Sequence, residues 1–475
     1  MSDKAVFGAG SEDFRQAEWL AEVLERKWRF DFSTKMWHHW DGMRWAPDKT
    51  NAVLNTVATA AALAVGSAKT EVEKKALIKL LSIAPVQKAL EALATFEGYG
   101  TSGEDWDQDP FLLGCTNGIV DLTNNALVPN PDPSCLVTRT TGHAFIPVKD
   151  PAEFSRRAPR FMKFLMEITS EDLAMAYFLL QWFGASMFGF SPEQRFLMMI
   201  GIGRNGKGVL KNSVIHAAGE YGAQPDGNVY MRSKWGGPNS SSARAELIDL
   251  KGKRICFFSE PEGQHFNEEM LKAHTGGDFI TARTLYSAKM LRWQATHSIT
   301  FLVNDAPEVE DVGPSMANRV MVADFRERYD GDKEDKRLEK KLEAEAEGIL
   351  AILCWAAKAW YESYEASGAG IDIPARVKEQ SKAFMEKNDP IAHCLNEAFT
   401  TGAGLKWQAG LCYQAYQQWF VRSGQEGEMV SQIKFGRGLE KKGFKKAVTR
   451  MATYYLGLKP LSAVDIADGE GEDND

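Results

Sequence analysis

Eight consecutive residues constrain this chain more than any other feature: Gly201-Ile202-Gly203-Arg204-Asn205-Gly206-Lys207-Gly208. An unbroken apolar run, Phe196-Leu197-Met198-Met199-Ile200, precedes them, and residues 209–218, beginning with Val209, have helical spacing. A buried strand that breaks into glycines and resumes as a helix can wrap its backbone around an anion. The glycines let several N–H groups converge on one phosphate, the helix N-terminus adds its dipole, and Lys207 adds a positive charge for the β- and γ-phosphates. The expected ligand is ATP, held by Gly201, Gly203, Arg204, Asn205, Gly206, Lys207, Gly208 and Val209. Gly208 departs from the usual pattern, which has Ser or Thr there to ligate Mg2+. The ion is then expected to rest on water, phosphates and acidic side chains further along the chain.

Short apolar runs alternate with helical segments over 193–329, the pattern of a parallel sheet with helices on its faces. The run 254–258 ends in Ser259-Glu260-Pro261-Glu262. One carboxylate at such a tip can hold the Mg2+ shell through water, and a second can orient the attacking water. Glu260 is assigned to the metal or the water and Glu262 to support, and the two roles can be exchanged. The run 298–303 ends at Asn304, either a polar probe of the γ-phosphate or a plain turn residue before Asp305-Ala306-Pro307. Arg319 precedes a further run, 320–325; an arginine delivered there across a subunit boundary would stabilise charge on the γ-phosphoryl group.

The formal net charge of −8 argues at first against a nucleic-acid partner. Asp465, Asp468, Glu470, Glu472, Asp473 and Asp475 have no compensating cation in the tail, and without their six charges the net charge of −8 falls to −2. Residues 461–475 read as a solvated, disordered end. Two basic clusters stand out from the remainder. One is 281–294, with Arg283, Tyr286, Lys289 and Arg292, and Lys272 shortly before it. The other is 405–458, with Lys434, Arg437, Lys441, Lys442, Lys445, Lys446 and Arg450. Helical spacing over 412–422 and 431–442, then strand-like 444–456, looks like a winged helix, with Lys441 and Lys445 as phosphate contacts; a docking domain with a solvated basic face is the competing reading. Six scattered cysteines with no C-x-x-C pair support no zinc site. The N-terminus has no signal-peptide pattern, and the most apolar stretch, 57–66, is about half a membrane span, so a cytoplasmic setting is expected.

Upstream, 14–29, 70–96 and 161–188 have helical spacing, Trp37, Trp40 and Trp45 flank a hairpin at Asp41-Gly42, and 107–147 reads as loops with short strands. Taken in order, the 201–208 loop, Ser259-Glu260-Pro261-Glu262, Leu271-Lys272-Ala273-His274-Thr275-Gly276-Gly277-Asp278 with Arg283, the run to Asn304, and Arg319 with Phe325 resemble the superfamily 3 helicases of the phage, plasmid and poxvirus primase–helicase type. Trp40-Asp41-Gly42 with Trp45, and Asp109-Pro110 through Gly114, Asn117-Gly118 and Asp121-Leu122, resemble the accessory region ahead of that motor.

The resemblance implies an α/β fold: a P-loop ATPase core of AAA+-like, superfamily 3 type over 193–368, a mostly helical N-terminal accessory domain over 1–192, and a helical linker with a winged-helix-like domain over 369–460. It implies an ATP-dependent DNA helicase acting in phage or mobile-element replication, in the host cytoplasm. Such proteins form homo-hexameric rings that move 3′ to 5′ on single-stranded DNA, alongside a separate primase or polymerase. Residues 281–294 would then project into the ring channel; a solvated amphipathic hairpin is the other reading of that segment. A nucleotide-switched initiator or loader is the alternative for the whole chain, and Gly208 keeps it open. With only an accessory region ahead of the motor, no primase activity is expected.

Overall fold

Five strands form a parallel sheet in the order Val320–Asp324, Phe196–Ile200, Ser298–Val303, Ile255–Ser259, Gly222–Ala223. The computed structural model describes residues 12–191, 193–232, 245–261, 265–283, 290–331, 334–424 and 429–461. The strands are continuous apolar runs because both faces of the sheet are covered. Their side chains divide with the two-residue period of a pleated strand. Leu197, Met199, Ile255, Phe257, Met321 and Ala323 enter one core, while Phe196, Met198, Cys256, Phe258, Val320 and Val322 enter the other.

Helices Pro159–Ile168, Leu173–Ala185, Lys207–Ala218 and Ala346–Ser367 close the first core. Leu173–Ala185 is apolar nearly all round, as a helix sunk in a core must be. Its Trp182 Nε1 donates to Thr300 Oγ1 at 2.9 Å, which satisfies a hydroxyl buried in the middle of the sheet. Residues 159–185 therefore share a core with the strands that follow them, although the sequence suggests a division at 192. A parallel sheet needs cover on both faces, and chain from before and after the strands supplies it. The second core is closed by helix Glu268–Thr275, by the hairpin Phe279–Arg283 with Met290–Gln294, and by Phe384 and Met385 of helix Ala375–Lys387.

A separate N-terminal core packs helices Glu12–Leu24, Ala52–Val65, Glu71–Lys79 and Ile83–Leu93 beside a small four-stranded sheet. The helix expected over 14–29 stops at Leu24. Glu25 and Arg26 take left-handed φ values of 49° and 55°, and Trp28–Asp31 instead pairs antiparallel with Met36–Trp40. Cross-strand partners there override helical spacing. The helix expected over 70–96 is two helices, with Ser82 extended between them. The hairpin at Asp41-Gly42 forms as the sequence indicates, with Asp41 Oδ1 accepting from the Met43 and Arg44 amides at 2.8 Å.

At the C-terminal end, helices Pro390–Ala398, Ala409–Arg422 and Gln432–Lys441 pack on an antiparallel sheet ordered Phe399–Gln408, Thr453–Pro460, Lys446–Val448. Helical spacing over 375–399 ends where the first of these strands begins, so that strand is not expected from the sequence. It exists because 453–460 pairs with it across a register shift between Thr401 and Lys406. Among the described residues no helix is long and apolar enough to cross a membrane.

Candidate functional site

All five strands run in one direction, so the loops that leave their carboxyl ends gather along one edge. Strand Phe196–Ile200, second in the sheet, hands the chain to the glycine-rich loop there. The Gly201 amide still donates to Val303 O at 3.3 Å, and an added Cβ at Gly201 would lie 2.3 Å from Asn205 Nδ2 and 2.5 Å from Phe325 O. Asn205 is buried and braces the turn, accepting from the Lys207 amide at 3.4 Å and donating to Phe325 O at 3.5 Å. Gly206 has φ of 86°, and a Cβ there would lie 2.4 Å from Ile168 Cγ2. Arg204, at φ 65°, accepts from the Tyr329 amide at 2.7 Å. The loop is thus held between helix Pro159–Ile168 and the segment 325–329, while Ile202, Gly203, Arg204 and Gly208 stay exposed.

Lys207 opens the helix Lys207–Ala218, whose first amides have no carbonyl upstream to accept them. Its side chain is folded back, donating to Gly201 O, and only 6% of the residue is exposed. Burial pushes its ammonium down to about 8, partly offset by the negative charge of Glu260. A buried lysine with no ion pair among the described residues, beside the open amides of a helix N-terminus, is a site short of an anion. A polyphosphate fits that need.

Glu260 follows strand Ile255–Ser259 and is exposed at the same edge, with its amide donating to Leu302 O at 3.0 Å. Its φ of 45° is left-handed, a strained conformation for a residue with a side chain. Asn304 is exposed one residue past Val303, which lies opposite Ile200. The structure therefore brings Lys207, Glu260 and Asn304 to neighbouring strand tips. Glu262 lies outside the described residues. A Cβ added to Gly208 would meet nothing within 4 Å, so the place of the usual hydroxyl is open space. Among the described residues no group of three or more acidic, His or Cys side chains could hold a metal ion alone, so Mg2+ here would need oxygens of a bound nucleotide, with Glu260 one carboxylate at this edge.

Arg319 sits at the opposite edge of the sheet. Its carbonyl accepts from the Phe196 amide at 2.9 Å, so the whole strand Phe196–Ile200, roughly 16 Å at about 3.3 Å per residue, separates it from its own loop. It cannot reach a nucleotide bound by its own chain. Its Nη1 donates to Ser315 O at 2.7 Å, while its Nε is buried without a partner among the described residues. Arg195, a residue outside the sequence motifs, stands beside it immediately before strand Phe196–Ile200. Together with Asn318, Lys378 and Lys382 it lines a groove of about 440 Å³. A cation immediately before the apolar run was its only sequence signal.

A second group without a sequence signal braces the loop. Arg376 donates through Nε to Asp324 Oδ1 at 2.7 Å and through Nη2 to Asp324 O at 2.8 Å. Burial alone would raise the Asp324 carboxyl, but Arg376 and Arg326 hold it below its ordinary value. Asp324 ends the strand next to Ile200, so this pairing sets where Phe325 to Tyr329 pass the loop.

The hairpin Phe279–Arg283 with Met290–Gln294 is amphipathic: Ile280, Ala282 and Trp293 are buried, and Phe279, Thr281, Met290 and Arg292 are exposed on the other face. Arg283 shares the exposed face, and the Arg292 guanidinium lies 4.2 Å from the centre of the Phe279 ring. Tyr286 and Lys289 lie outside the described residues. Two cations read as DNA contacts are placed differently. Lys272, on helix Glu268–Thr275, is paired with Asp311 at 2.7 Å rather than aligned with the hairpin face. Lys441 is paired with the same Asp311 at 3.2 Å. Acidic residues at 308–311, distant in sequence, draw both. Lys445 is exposed, without an ion pair among the described residues.

Residues 17–170 match the family described as "D5 N terminal like". A protein of Acanthamoeba polyphaga mimivirus named "Putative helicase L207/L206" is 26% identical over 251 residues, 53% of this chain. The match takes in 25% of that relative's length, so about half of this chain aligns with a quarter of the viral protein. Two solved apo structures of the NrS-1 C terminal region also align: one at 11% identity with TM-score 0.48, covering 94% of this chain and 100% of that one, and another at 12% identity with TM-score 0.49, covering 93% and 99%.

Proposed function

We propose that this chain is an ATP-dependent DNA helicase of the superfamily 3 type that acts in the replication of a phage or other mobile element as a ring-forming translocase on single-stranded DNA. One observation carries the reading. Lys207 is buried without an ion pair among the described residues at a helix N-terminus, on the carboxyl edge of a parallel sheet, with Glu260 and Asn304 on the adjacent tips. The similarity of residues 17–170 to the D5 N terminal like family, and of half the chain to a viral protein named as a helicase, supports it.

In this reading the amides around Gly203 to Val209 and the Lys207 ammonium bind the β- and γ-phosphates of ATP. Bound Mg2+ would supply charge neutralisation on the transferring phosphoryl group. Glu260 holds the metal's water shell or orients the attacking water, and Asn304 reads the γ-phosphate. Arg319, too far from its own loop, serves the neighbouring subunit's nucleotide, with Arg195 beside it. The exposed face of the 279–294 hairpin, with Arg283, Arg292 and Phe279, meets DNA, and the C-terminal module acts as a winged helix beside it.

The test is ATP turnover with and without single-stranded DNA, together with unwinding of a forked duplex. Turnover that rises on DNA and drives strand separation is expected. Turnover without unwinding favours the second reading, a nucleotide-switched initiator or loader, for which the missing hydroxyl at Gly208 speaks. No turnover under any condition contradicts both.

A further inference from the structure

The segment between Asn304 and Arg319 contains two carboxylates that grip the C-terminal module. Glu310 accepts from Lys434 Nζ at 3.0 Å, and Asp311 accepts from Lys441 Nζ at 3.2 Å. These lysines lie seven residues apart on helix Gln432–Lys441, two turns along one face, and Arg437 lies between them on the same stripe. Each carboxylate also holds a cation from the sheet domain. Arg232 pairs with Glu310, and Lys272 pairs with Asp311 at 2.7 Å.

The segment is also held from the side of the sheet domain. Glu268, itself buried, accepts from the Glu310 and Asp311 amides, and Asp311 Oδ1 accepts from the Gly313 amide at 3.1 Å. Hydrogen bonding from Lys272, reinforced by Gly313 and Lys441, holds the Asp311 carboxyl down to about 2. Two fixed carboxylates facing a stripe of lysines offer what two phosphates of a nucleic-acid backbone would offer.

We propose that Glu310 and Asp311 act as an internal phosphate mimic that occupies the basic face of helix Gln432–Lys441 and so holds the C-terminal module off DNA. The proposal rests on the reading of that module as DNA-binding. The same segment begins at Asn304, on the nucleotide edge, and ends at Arg319, on the subunit edge, so a shift at either end moves the clamp. Lys434 and Lys441 are exposed along their stems, and release of the clamp frees their ammonium groups next to Arg437.

Binding of the full chain to a fluorescent DNA duplex, followed by anisotropy over a series of salt concentrations, tests this. Glu310→Gln with Asp311→Asn keeps the shape and one acceptor oxygen on each side chain while removing the charge. Affinity is expected to rise about fivefold, from two surface ion pairs of roughly 0.5 kcal/mol each. The slope of log affinity against log salt is expected to steepen by about two, as two lysines become free for phosphates. Glu310→Gln alone, which leaves Asp311 and its Lys272 contact intact, should give about half the change in slope. Arg437→Ala is the control for the underlying reading. If Arg437→Ala weakens binding while the carboxylate variants bind as the unaltered chain does, the clamp is refuted and the module still binds DNA. If, in the Glu310→Gln with Asp311→Asn background, neither Arg437→Ala nor Lys434→Ala with Lys441→Ala changes binding, the module does not bind DNA and the clamp falls with it.

Discussion

Gly206 and Gly208 stand two residues apart in the loop and make opposite demands. Gly206 holds φ at 86° against helix Pro159–Ile168, and a methyl group there has no room beside Ile168. Gly206→Ala is expected to cost about 1–3 kcal/mol of stability, through strained backbone and the clash, and to weaken nucleotide binding with it. Gly208 lies in the first helical turn with open space where a Cβ would sit. Gly208→Ser is therefore expected to change stability by less than about 0.5 kcal/mol. It should also lower the Mg2+ concentration needed for half-maximal turnover, because it supplies the hydroxyl that the loop lacks. Urea denaturation of both variants and a Mg2+ titration of ATP turnover check this pair. An unstrained Gly206→Ala, or a Gly208→Ser with unchanged metal dependence, contradicts the reading of the loop.

Between the sheet and the hairpin lies a polar knot of three buried residues. Tyr230 Oη sits 2.8 Å from His274 Nδ1 and 2.8 Å from His297 Nε2, while the Tyr230 ring packs on Phe258 and Phe301 of two central strands. The knot ties helix Glu268–Thr275 and the exit of the hairpin to the strands that carry Glu260 and Asn304. Burial, helped by the neighbouring His274, pushes His297 down to about 3 from its ordinary 6.5. The unfolded chain takes up the proton first, so stability is lost as pH falls from about 6.5 towards 3, with a slope approaching 1.4 kcal/mol per pH unit. His297→Gln should flatten that acid limb, measured by urea denaturation between pH 4 and 7. An unchanged slope would show that His297 is not the group responsible.

Such knots are what local sequence cannot display. Tyr230 is 44 and 67 residues from its two histidines, and Arg376 is 52 from Asp324; no spacing rule links them. The glycine loop, the apolar strands and the hairpin at Asp41-Gly42 were legible because each is a local pattern with a local cause. Lys272 and Lys441 illustrate the intermediate case: they are recognisable as cations, but Asp311, which pairs with both, comes from a different part of the chain.

At the scale of the whole molecule, Lys207 and Arg319 occupy opposite edges of one sheet, roughly 16 Å apart along the strand direction. In the proposed ring a complete site joins the Lys207 edge of one copy to the Arg319 edge of the next, and that division of labour is open to complementation. ATP turnover of Lys207→Ala alone, of Arg319→Ala alone, and of an equimolar mixture of the two measures it directly. Each variant alone is expected to lose nearly all turnover, because every interface lacks one half of the site. In the mixture, an interface that joins the intact loop of an Arg319→Ala subunit to the intact arginine of a Lys207→Ala neighbour should be active, so part of the turnover should return. Full turnover by either variant alone, or a mixture as inactive as its components, would contradict a nucleotide gripped by Lys207 and completed by Arg319 from the adjoining subunit.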